Sequence, residues 1–368
     1  MNTRGFLDAH IHLWEFCLFS SFANLAGVSC QEELISILKA RPIESWLVGV
    51  RFNQESTKEK SMPDRCFLDK AFGQVPVVIF RTCLHLVVAN TTAMEKLGRR
   101  SENGFFYEAD VFAILNQLPA LLRIQPEIIV RNGMAKLERL EIKKAIDMGM
   151  DFNRRSFFDE VLFYTTDMRL LNEALGFKLF LDGSLGARTA ALIDEYSDDP
   201  GNYGFLNYSD DELLAIVKKV HRVGKPVACH AIGDRAVDQF IRVIKKSRHP
   251  QDRLEHVQYL RPDQIDTLAE AGIAVCIQPI FSRELTWARA RLGPERIKTA
   301  YAWGLLRDRG VRLLAGSDAP VDEASPYEAA RTVASLDYEH RLSYDEVLNL
   351  YAQANWEFYG WQPSWFLE

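Results

Sequence analysis

Cysteine is scarce in this sequence, and its six residues are scattered. No two of them form a CxxC pair, so a disulfide framework is not indicated. The N-terminus also has no basic segment followed by an apolar one, as a secretory signal would. We therefore expect reduced thiols in a cytoplasmic protein. The six residues are Cys17, Cys30, Cys66, Cys83, Cys229 and Cys276.

Long hydrophobic runs and an excess of basic charge are also missing. No stretch of about 18 uncharged apolar residues occurs, which argues against a transmembrane helix. The 44 basic residues are outnumbered by 50 acidic ones, for a formal net charge of −6. A nucleic-acid-binding surface would require the opposite balance. We therefore expect neither a membrane nor a nucleic acid among the partners of this chain.

The sequence does contain enough apolar residues for a large hydrophobic core. Its 368 residues are 48% hydrophobic and 26% charged, which is ordinary for a globular protein. The length permits two domains or one α/β barrel with insertions. Short apolar runs alternate with helical patterns, which indicates a parallel sheet. Eight strands are predicted, at residues 6–12, 149–153, 160–165, 177–182, 226–230, 253–257, 273–278 and 311–317.

Eight such βα units predict the α/β class and a (β/α)8 TIM barrel. We interpret residues 1–368 as a single barrel domain, with residues 136–148 forming a helix before the second strand. Residues 14–130 then form a large insertion after the first strand, with apolar strands of its own. Inserts at the carboxyl ends of barrel strands usually shape the active-site mouth, so we expect this insertion subdomain to lie there.

Histidines concentrate at the predicted strand ends, although the chain has only eight. His10 and His12 are two residues apart on the first strand, so their side chains share one face. His230 ends the fifth strand, His256 lies on the sixth, and Asp318 follows the eighth. The active sites of such barrels lie at the carboxyl ends of the strands. Imidazoles with a carboxylate suit a divalent ion such as zinc, and this set can hold one or two ions.

The residue types also predict a chemistry. A bound ion lowers the pKa of its water and makes a hydroxide nucleophile. A carboxylate that touches this water can move its proton to the leaving group, and Asp318 is the candidate for that role. Lys178, on the fourth strand, would be repelled by two cations. Either it is neutral or displaced, or carbon dioxide carbamylates it to a bridging carboxylate.

Several motifs together carry a resemblance to a known family. The first strand reads Phe-Leu-Asp-Ala-His-Ile-His at residues 6–12, and the eighth ends in Gly-Ser-Asp-Ala-Pro-Val at residues 316–321. Further matching segments lie at residues 76–81, 102–108, 177–190, 230–236, 255–258 and 277–279. With these motifs the chain resembles the amidohydrolase superfamily, and within it the YtcJ-like metal-dependent hydrolases of the amidohydrolase 3 group.

The resemblance implies a ligand set and a reaction. His10, His12 and Asp318 would hold one metal, His230 and His256 a second, and carbamylated Lys178 would bridge them. The implied reaction is hydrolysis of an amide-like C–N bond in a small-molecule substrate by a metal-bound hydroxide. Relatives usually carry a small β-sandwich built from both chain ends. The sequence leaves no room for it, so we expect a barrel without the sandwich.

Three further residues are predicted to contact the substrate. The resemblance directs His85 at the pocket, although a surface position after a strand is the alternative. The guanidinium of Arg188 suits a substrate carboxylate, with an ion pair to Asp182 or Asp234 as the alternative. Gln278 belongs to the Ile-Gln-Pro motif at residues 277–279.

Other interpretations of the same scaffold stay open. Cys229 and Cys276 flank the site in sequence, so a cysteine ligand is an alternative, but packing is favoured for them. A metal-dependent deaminase or isomerase would use similar ligands, and a non-catalytic binding protein is the alternative from another class. Whether the chain forms a homo-oligomer is also left open.

Overall fold

The computed structural model describes residues 5–41, 46–82, 84, 86–107, 109–158 and 160–361. The strands in these ranges are β1 (Phe6–Ile11), β2 (Ala23–Asn24), β3 (Leu47–Phe52), β4 (Val77–Arg81), β5 (Leu86–Ala89), β6 (Phe105–Tyr107), β7 (Ile142–Met150), β8 (Leu162–Thr165), β9 (Gly176–Phe180), β10 (Val227–Ala231), β11 (Arg253–His256), β12 (Ala274–Ile277) and β13 (Leu313–Ala315).

Helices connect most of these strands. They are α1 (Leu13–Phe19), α2 (Gln31–Lys39), α3 (Arg65–Phe72), α4 (Thr91–Leu97), α5 (Ala109–Leu121), α6 (Pro126–Arg139), α7 (Phe152–Arg155), α8 (Asp210–His221), α9 (Asp234–Ile244), α10 (Pro262–Ala271), α11 (Leu285–Arg296), α12 (Trp303–Asp308), α13 (Pro326–Ser335), α14 (Tyr344–Asn349) and α15 (Asn355–Phe358). None of the helices in the described ranges has both the length and the apolar character needed to cross a membrane.

Eight of the strands form one parallel sheet in the order β1-β7-β8-β9-β10-β11-β12-β13. Strands β7 to β13 follow one another in the sheet as they do along the chain, with helices around them. This is the (β/α)8 barrel that the sequence predicts, and seven of its eight strands lie within about two residues of their predicted positions. All active-site candidates on the barrel strands therefore emerge at the same rim.

The second barrel strand is where the sequence-based prediction was wrong. Residues 142–150 form β7, whereas a helix over 136–148 and a strand over 149–153 were expected. The helix α6 ends at Arg139, and Glu141 adopts a positive φ of 61° that a helix cannot accommodate. Ile142, Ala145 and Ile146 are apolar at helix-like spacing. A barrel strand that is buried on both faces shows no strict alternation of apolar and polar residues. The spacing of its apolar residues can therefore resemble that of a helix.

The first and last barrel strands are joined by the side chain of Asn355, which is completely buried at the start of α15. Its Nδ2 group donates to Leu7 O at 2.6 Å and to Ala315 O at 2.7 Å. Its Oδ1 atom accepts from Ala315 N at 3.0 Å. The backbone groups of β1 and β13 that face each other here are thereby satisfied, as burial requires.

The contact pattern divides the chain into two compact units. One contains the described residues of 1–13, 138–318 and 323–368, and it includes the barrel. The other contains those of 14–137 and 319–322. In it, β2, β3 and β4 run parallel, and β5 and β6 add antiparallel strands to the same sheet. Apolar side chains from α2 and α3 pack on this sheet. The location of this unit at the active-site mouth stays a prediction.

Removal of the Asn355 amide is expected to destabilise the barrel. Asn355→Leu keeps the volume but leaves three buried backbone groups without partners, at a cost of roughly 3 kcal/mol in the free energy of unfolding. Urea unfolding measures this change. Asn349→Ala, at an exposed asparagine one turn and a half earlier, is the control and should shift stability by at most about 0.5 kcal/mol. Equal effects of the two changes would contradict the role given to Asn355.

Candidate metal centre

His10 is the central side chain of the site. It lies on β1 and is completely buried, whereas His12, directly after the strand, is one-quarter exposed. The Nε2 atoms of the two rings lie 3.2 Å and 3.1 Å from the same oxygen, Oδ1 of Asp318. Two imidazoles, one on β1 and one directly after it, and the carboxylate that follows the last barrel strand thus converge on one point.

Asp318 reaches this point because the chain after β13 runs close to β1. A Cβ atom at Gly316 would lie only 2.3 Å from the Cβ of His10, so this approach requires glycine. The backbone N–H of Asp318 donates to His10 O at 2.8 Å. Asp318 itself has a φ of 57°, which lies in a backbone region that residues other than glycine rarely adopt. Such strained backbone clusters at functional sites.

His230 and His256 form the second half of the site, on β10 and β11. Their ring centroids lie 4.4 Å apart, and the His256 ring lies 4.9 Å from that of His10. His256 has a φ of 72°, which breaks the alternation of side chains along its strand. The His256 ring and the side chain of the preceding residue, Glu255, therefore both lie next to His10 instead of on opposite faces of the strand. The Nε2–H of His230 donates to Gly183 O at 2.9 Å, which leaves its Nδ1 with a lone pair.

The electrostatic environment keeps His230 and His256 neutral and the Asp318 carboxylate ionised. Burial lowers the pKa of His230 to about 3, helped by the charge of Lys178, and burial also lowers the pKa of His256 well below its ordinary value. Burial by itself would raise the pKa of Asp318, but its surroundings outweigh burial and hold this pKa well below its usual range. Neutral imidazoles and an ionised carboxylate are the forms that bind metals.

Two buried residues that the sequence analysis did not single out support His10. Glu255 Oε2 lies 2.6 Å from His10 Nδ1, and Arg253 Nε donates to Glu255 Oε1 at 2.6 Å. Both side chains are fully buried. A signal for them exists in the sequence, because two charged residues in a strand of a parallel barrel are unexpected unless they are paired.

Two atoms indicate that the site fits a metal ion. His256 Nδ1 is buried and has no hydrogen-bond partner among the described residues. Asp318 Oδ1 is buried as well, and within those ranges no N–H is directed at it, although two ring nitrogens lie close. Ligand atoms of His10, His256 and Asp318 all lie within 4.8 Å of one another. A cation placed among them would satisfy lone pairs that otherwise face each other.

A second group around His10 fits a metal less well. His10, Glu255 and Cys276 also lie within 4.8 Å of one another. Both oxygens of Glu255 are already used by His10 and Arg253. Burial raises the pKa of the Cys276 thiol well above its ordinary value, so it keeps its proton, whereas the thiolate is the form that binds metals. The chemistry of the donors therefore favours the group that includes Asp318.

Lys178 lies inside the same site. It is buried on β9, and its Nζ atom is 3.5 Å from His10 Nε2. Burial lowers its pKa, although the charges of Glu255 and Asp318 act in the opposite direction. A lysine held in this way has a larger share of the neutral amine than one in water.

The three predicted substrate contacts lie in different places. Gln278 is buried against His10, with its Nε2 atom 3.4 Å from His10 Nδ1. Arg188 Nε and Nη2 donate to the two oxygens of Asp198 at 3.1 Å and 3.0 Å, so its ion-pair partner is neither Asp182 nor Asp234. His85 lies outside the described residues. A contact of any of the three with substrate stays a prediction.

Comparison with known proteins identifies the family of this chain. The sequence profile of the Amidohydrolase family matches residues 3–362. The chain belongs to this family. It is 26% identical over 376 residues to YtcJ of Bacillus subtilis (strain 168), a protein with an amidohydrolase name, and the match covers 88% of this chain and 71% of YtcJ. It is 25% identical over 397 residues to the protein LONG AFTER FAR-RED 3 of Arabidopsis thaliana, covering 89% of this chain and 67% of that protein.

Solved structures of metal-dependent hydrolases share the fold. An uncharacterized metal-dependent hydrolase from Pyrococcus horikoshii superposes with a TM-score of 0.79 at 26% identity, over 96% of this chain and 81% of the other. One from Pyrococcus furiosus gives a TM-score of 0.76 at 26% identity, over 96% and 82% of the two chains. Family, fold and the cluster of possible ligands around His10 support a metal-dependent hydrolase that uses a divalent metal.

Removal of one imidazole is expected to weaken metal binding. His256→Ala deletes a predicted ligand whose Nδ1 has no hydrogen-bond partner among the described residues, so the dialysed protein should retain less metal than the unchanged protein. Elemental analysis measures the metal content. His340→Ala removes a histidine from the loop before α14 and is the matched control, with metal content unchanged. Full metal retention by the His256 variant would rule out the ligand role of that residue.

Proposed function

We propose that this protein hydrolyses an amide-like C–N bond of a small-molecule substrate at a centre of one or two zinc ions. The observation that carries the proposal is the convergence of His10, His12 and Asp318 on one point with a neutral His256 beside them. The family membership adds that such sites perform hydrolysis. Nitrogen-rich donor sets with a carboxylate suit zinc better than magnesium or calcium.

Different residues of this chain have different roles in the proposed hydrolysis. A bound metal would supply water of lowered pKa and an electrophile for the carbonyl oxygen. Asp318, ionised at neutral pH, takes the proton of the attacking water and delivers it to the departing nitrogen, so that an amine and a carboxylic acid result. His10 and His12 would hold a metal beside Asp318, because the Nε2 atoms of both rings lie within 3.2 Å of Asp318 Oδ1.

Two phenylalanines favour an apolar group on the substrate near the scissile bond. The Phe180 ring lies 5.6 Å from that of His230 and is 37% exposed. The Phe281 ring is stacked parallel to His256 at 6.5 Å. Apolar walls beside the reacting centre also exclude water from it, which strengthens the electrostatic interactions there.

We also propose that Lys178 reacts with carbon dioxide when metal is bound. Its neutral amine attacks the carbon of carbon dioxide, the new N–C bond forms, and one proton leaves to solvent. The product is a carbamate. Its negative charge would attract the metals, whereas an ammonium would be repelled by them. In an experimental structure of the zinc-loaded protein, density should continue beyond Nζ of Lys178. Density that ends at Nζ in a protein with two zinc ions would contradict this modification.

The role of Asp318 predicts a large loss of activity in Asp318→Asn. The amide cannot accept the proton of water, so turnover should fall by about 10²- to 10⁴-fold while the protein stays folded. Substrates are found by screening N-acyl and N-formyl compounds for release of amine and acid. Asp266→Asn, at a half-exposed surface carboxylate, is the control and should keep full activity. Unchanged turnover in the Asp318 variant would refute its role.

The products of the same screen decide among the alternatives. Release of an amine with a carboxylic acid supports amide hydrolysis. Release of ammonia from a ring or amidine substrate would instead indicate a deaminase, and a product of unchanged mass an isomerase. Binding of compounds without any turnover would favour a non-catalytic protein.

A further inference from the structure

The geometry points to Arg253 and Glu255 as a positioning pair that fixes the tautomer of His10 so that its Nε2 lone pair faces the metal. This inference rests on the metal centre of the proposed function. Neither residue would touch the substrate or the ion. They act through His10, and their effect therefore appears first in metal affinity.

Glu255 uses both of its oxygens. Oε2 lies 2.6 Å from His10 Nδ1, and Oε1 accepts from Arg253 Nε at 2.6 Å. The Arg253 guanidinium, which is always charged, is directed at this carboxylate, and both side chains are fully buried. The carboxylate is therefore ionised and only accepts hydrogen bonds.

An acceptor at Nδ1 determines which nitrogen of His10 carries the proton. Because Glu255 only accepts, Nδ1 must donate, and in a neutral ring Nε2 then has the lone pair. Nε2 is the atom that lies 3.2 Å from Asp318 Oδ1. The lone pair is thus aimed at the point where the ligand atoms converge. A carboxylate behind a metal-binding histidine acts in this way in many metal sites.

An amide group also lies on this side of His10. Nε2 of Gln278 is 3.4 Å from Nδ1, and it also donates to Cys276 O at 3.4 Å. An amide N–H is a donor, so without the carboxylate it would favour a lone pair at Nδ1 and a proton at Nε2. That tautomer cannot bind the metal through Nε2.

Arg253 in turn holds Glu255 in place. Its Nη2 donates to Ala9 O at 2.9 Å, on the strand that carries His10, and its Nη1 contacts Tyr359. The guanidinium lies 4.7 Å from the Tyr164 ring centroid. Burying two charges in a barrel core brings little net stability compared with apolar residues of the same size. The orientation of His10 is a physical reason for burying this charged pair in the barrel.

The test compares zinc affinity with fold stability in variants of the whole chain. The metal-free protein is titrated with Zn²⁺ against a competing chelator, and unfolding in urea is followed separately. In Glu255→Gln the new amide places a donor beside either His10 or Arg253, and zinc affinity should fall about 10- to 100-fold. Glu255→Asp keeps the buried charge beside Arg253, and therefore the fold. It is one methylene too short to reach both partners and should give a smaller loss.

A second buried carboxylate–histidine pair supplies the matched control. Asp252 Oδ1 lies 3.0 Å from His221 Nε2 and also accepts from Val227 N at 2.8 Å. It is fully buried and directly precedes Arg253, but its partners lie at the opposite ends of the strands from the histidine site. Asp252→Asn should lower the stability of the fold and leave zinc affinity within about twofold of the unchanged protein.

The outcomes separate this inference from the proposed function. Weakened zinc binding in both Glu255 variants, with affinity retained in the Asp252 variant, supports the positioning role. Unchanged zinc affinity in either folded Glu255 variant would overturn that role while the metal centre stands. Equal losses of zinc affinity in the Asp252 and Glu255 variants would mean that Arg253 and Glu255 contribute only to the stability of the fold. Failure of the unchanged protein to bind Zn²⁺ would overturn the metal centre itself, and the positioning role with it.

Discussion

The hydrogen bond between His10 and Glu255 is the constraint on which the site depends. It occupies one nitrogen of a completely buried imidazole and leaves the other facing Asp318 Oδ1 at 3.2 Å. Two groups that both carry lone pairs would repel each other at that distance unless a cation lies between them. A buried ion pair with Arg253 keeps the carboxylate ionised. A buried ion pair therefore lies among apolar side chains of the barrel, such as Tyr164 and Met148.

The barrel provides the convergence that this constraint needs. Parallel strands bring their carboxyl ends to one rim, and the side chains of β1, β10, β11 and the segment after β13 meet there. Two local deviations complete the site. Positive φ angles at His256 and Asp318 turn these side chains toward the centre, against the ordinary backbone preference. The hydrogen bonds around them, such as that from Asp318 N to His10 O, stabilise these conformations.

Much of the fold was predictable because the barrel strands are short, apolar and separated by helices. The second strand was not, since only residues 145–148 are buried in succession, after two exposed lysines, and the apolar spacing resembles that of a helix. The histidines and Asp318 were predictable as a group from their positions at strand ends. Arg253 and Glu255 were visible as charges in an apolar strand, but their partner, 245 residues from Glu255 in the chain, was not.

The sequence by itself determined the fold class, the family and the residue types available to a metal. These follow from local periodicity and from motifs, which need no knowledge of distant contacts. Only the tertiary structure decided which atoms meet. Arg188 pairs with Asp198, Glu255 with His10, and Asn355 with the two strands it joins. Such pairings depend on how β-strands close into a barrel, and no local pattern encodes the contacts between residues that are far apart in the chain.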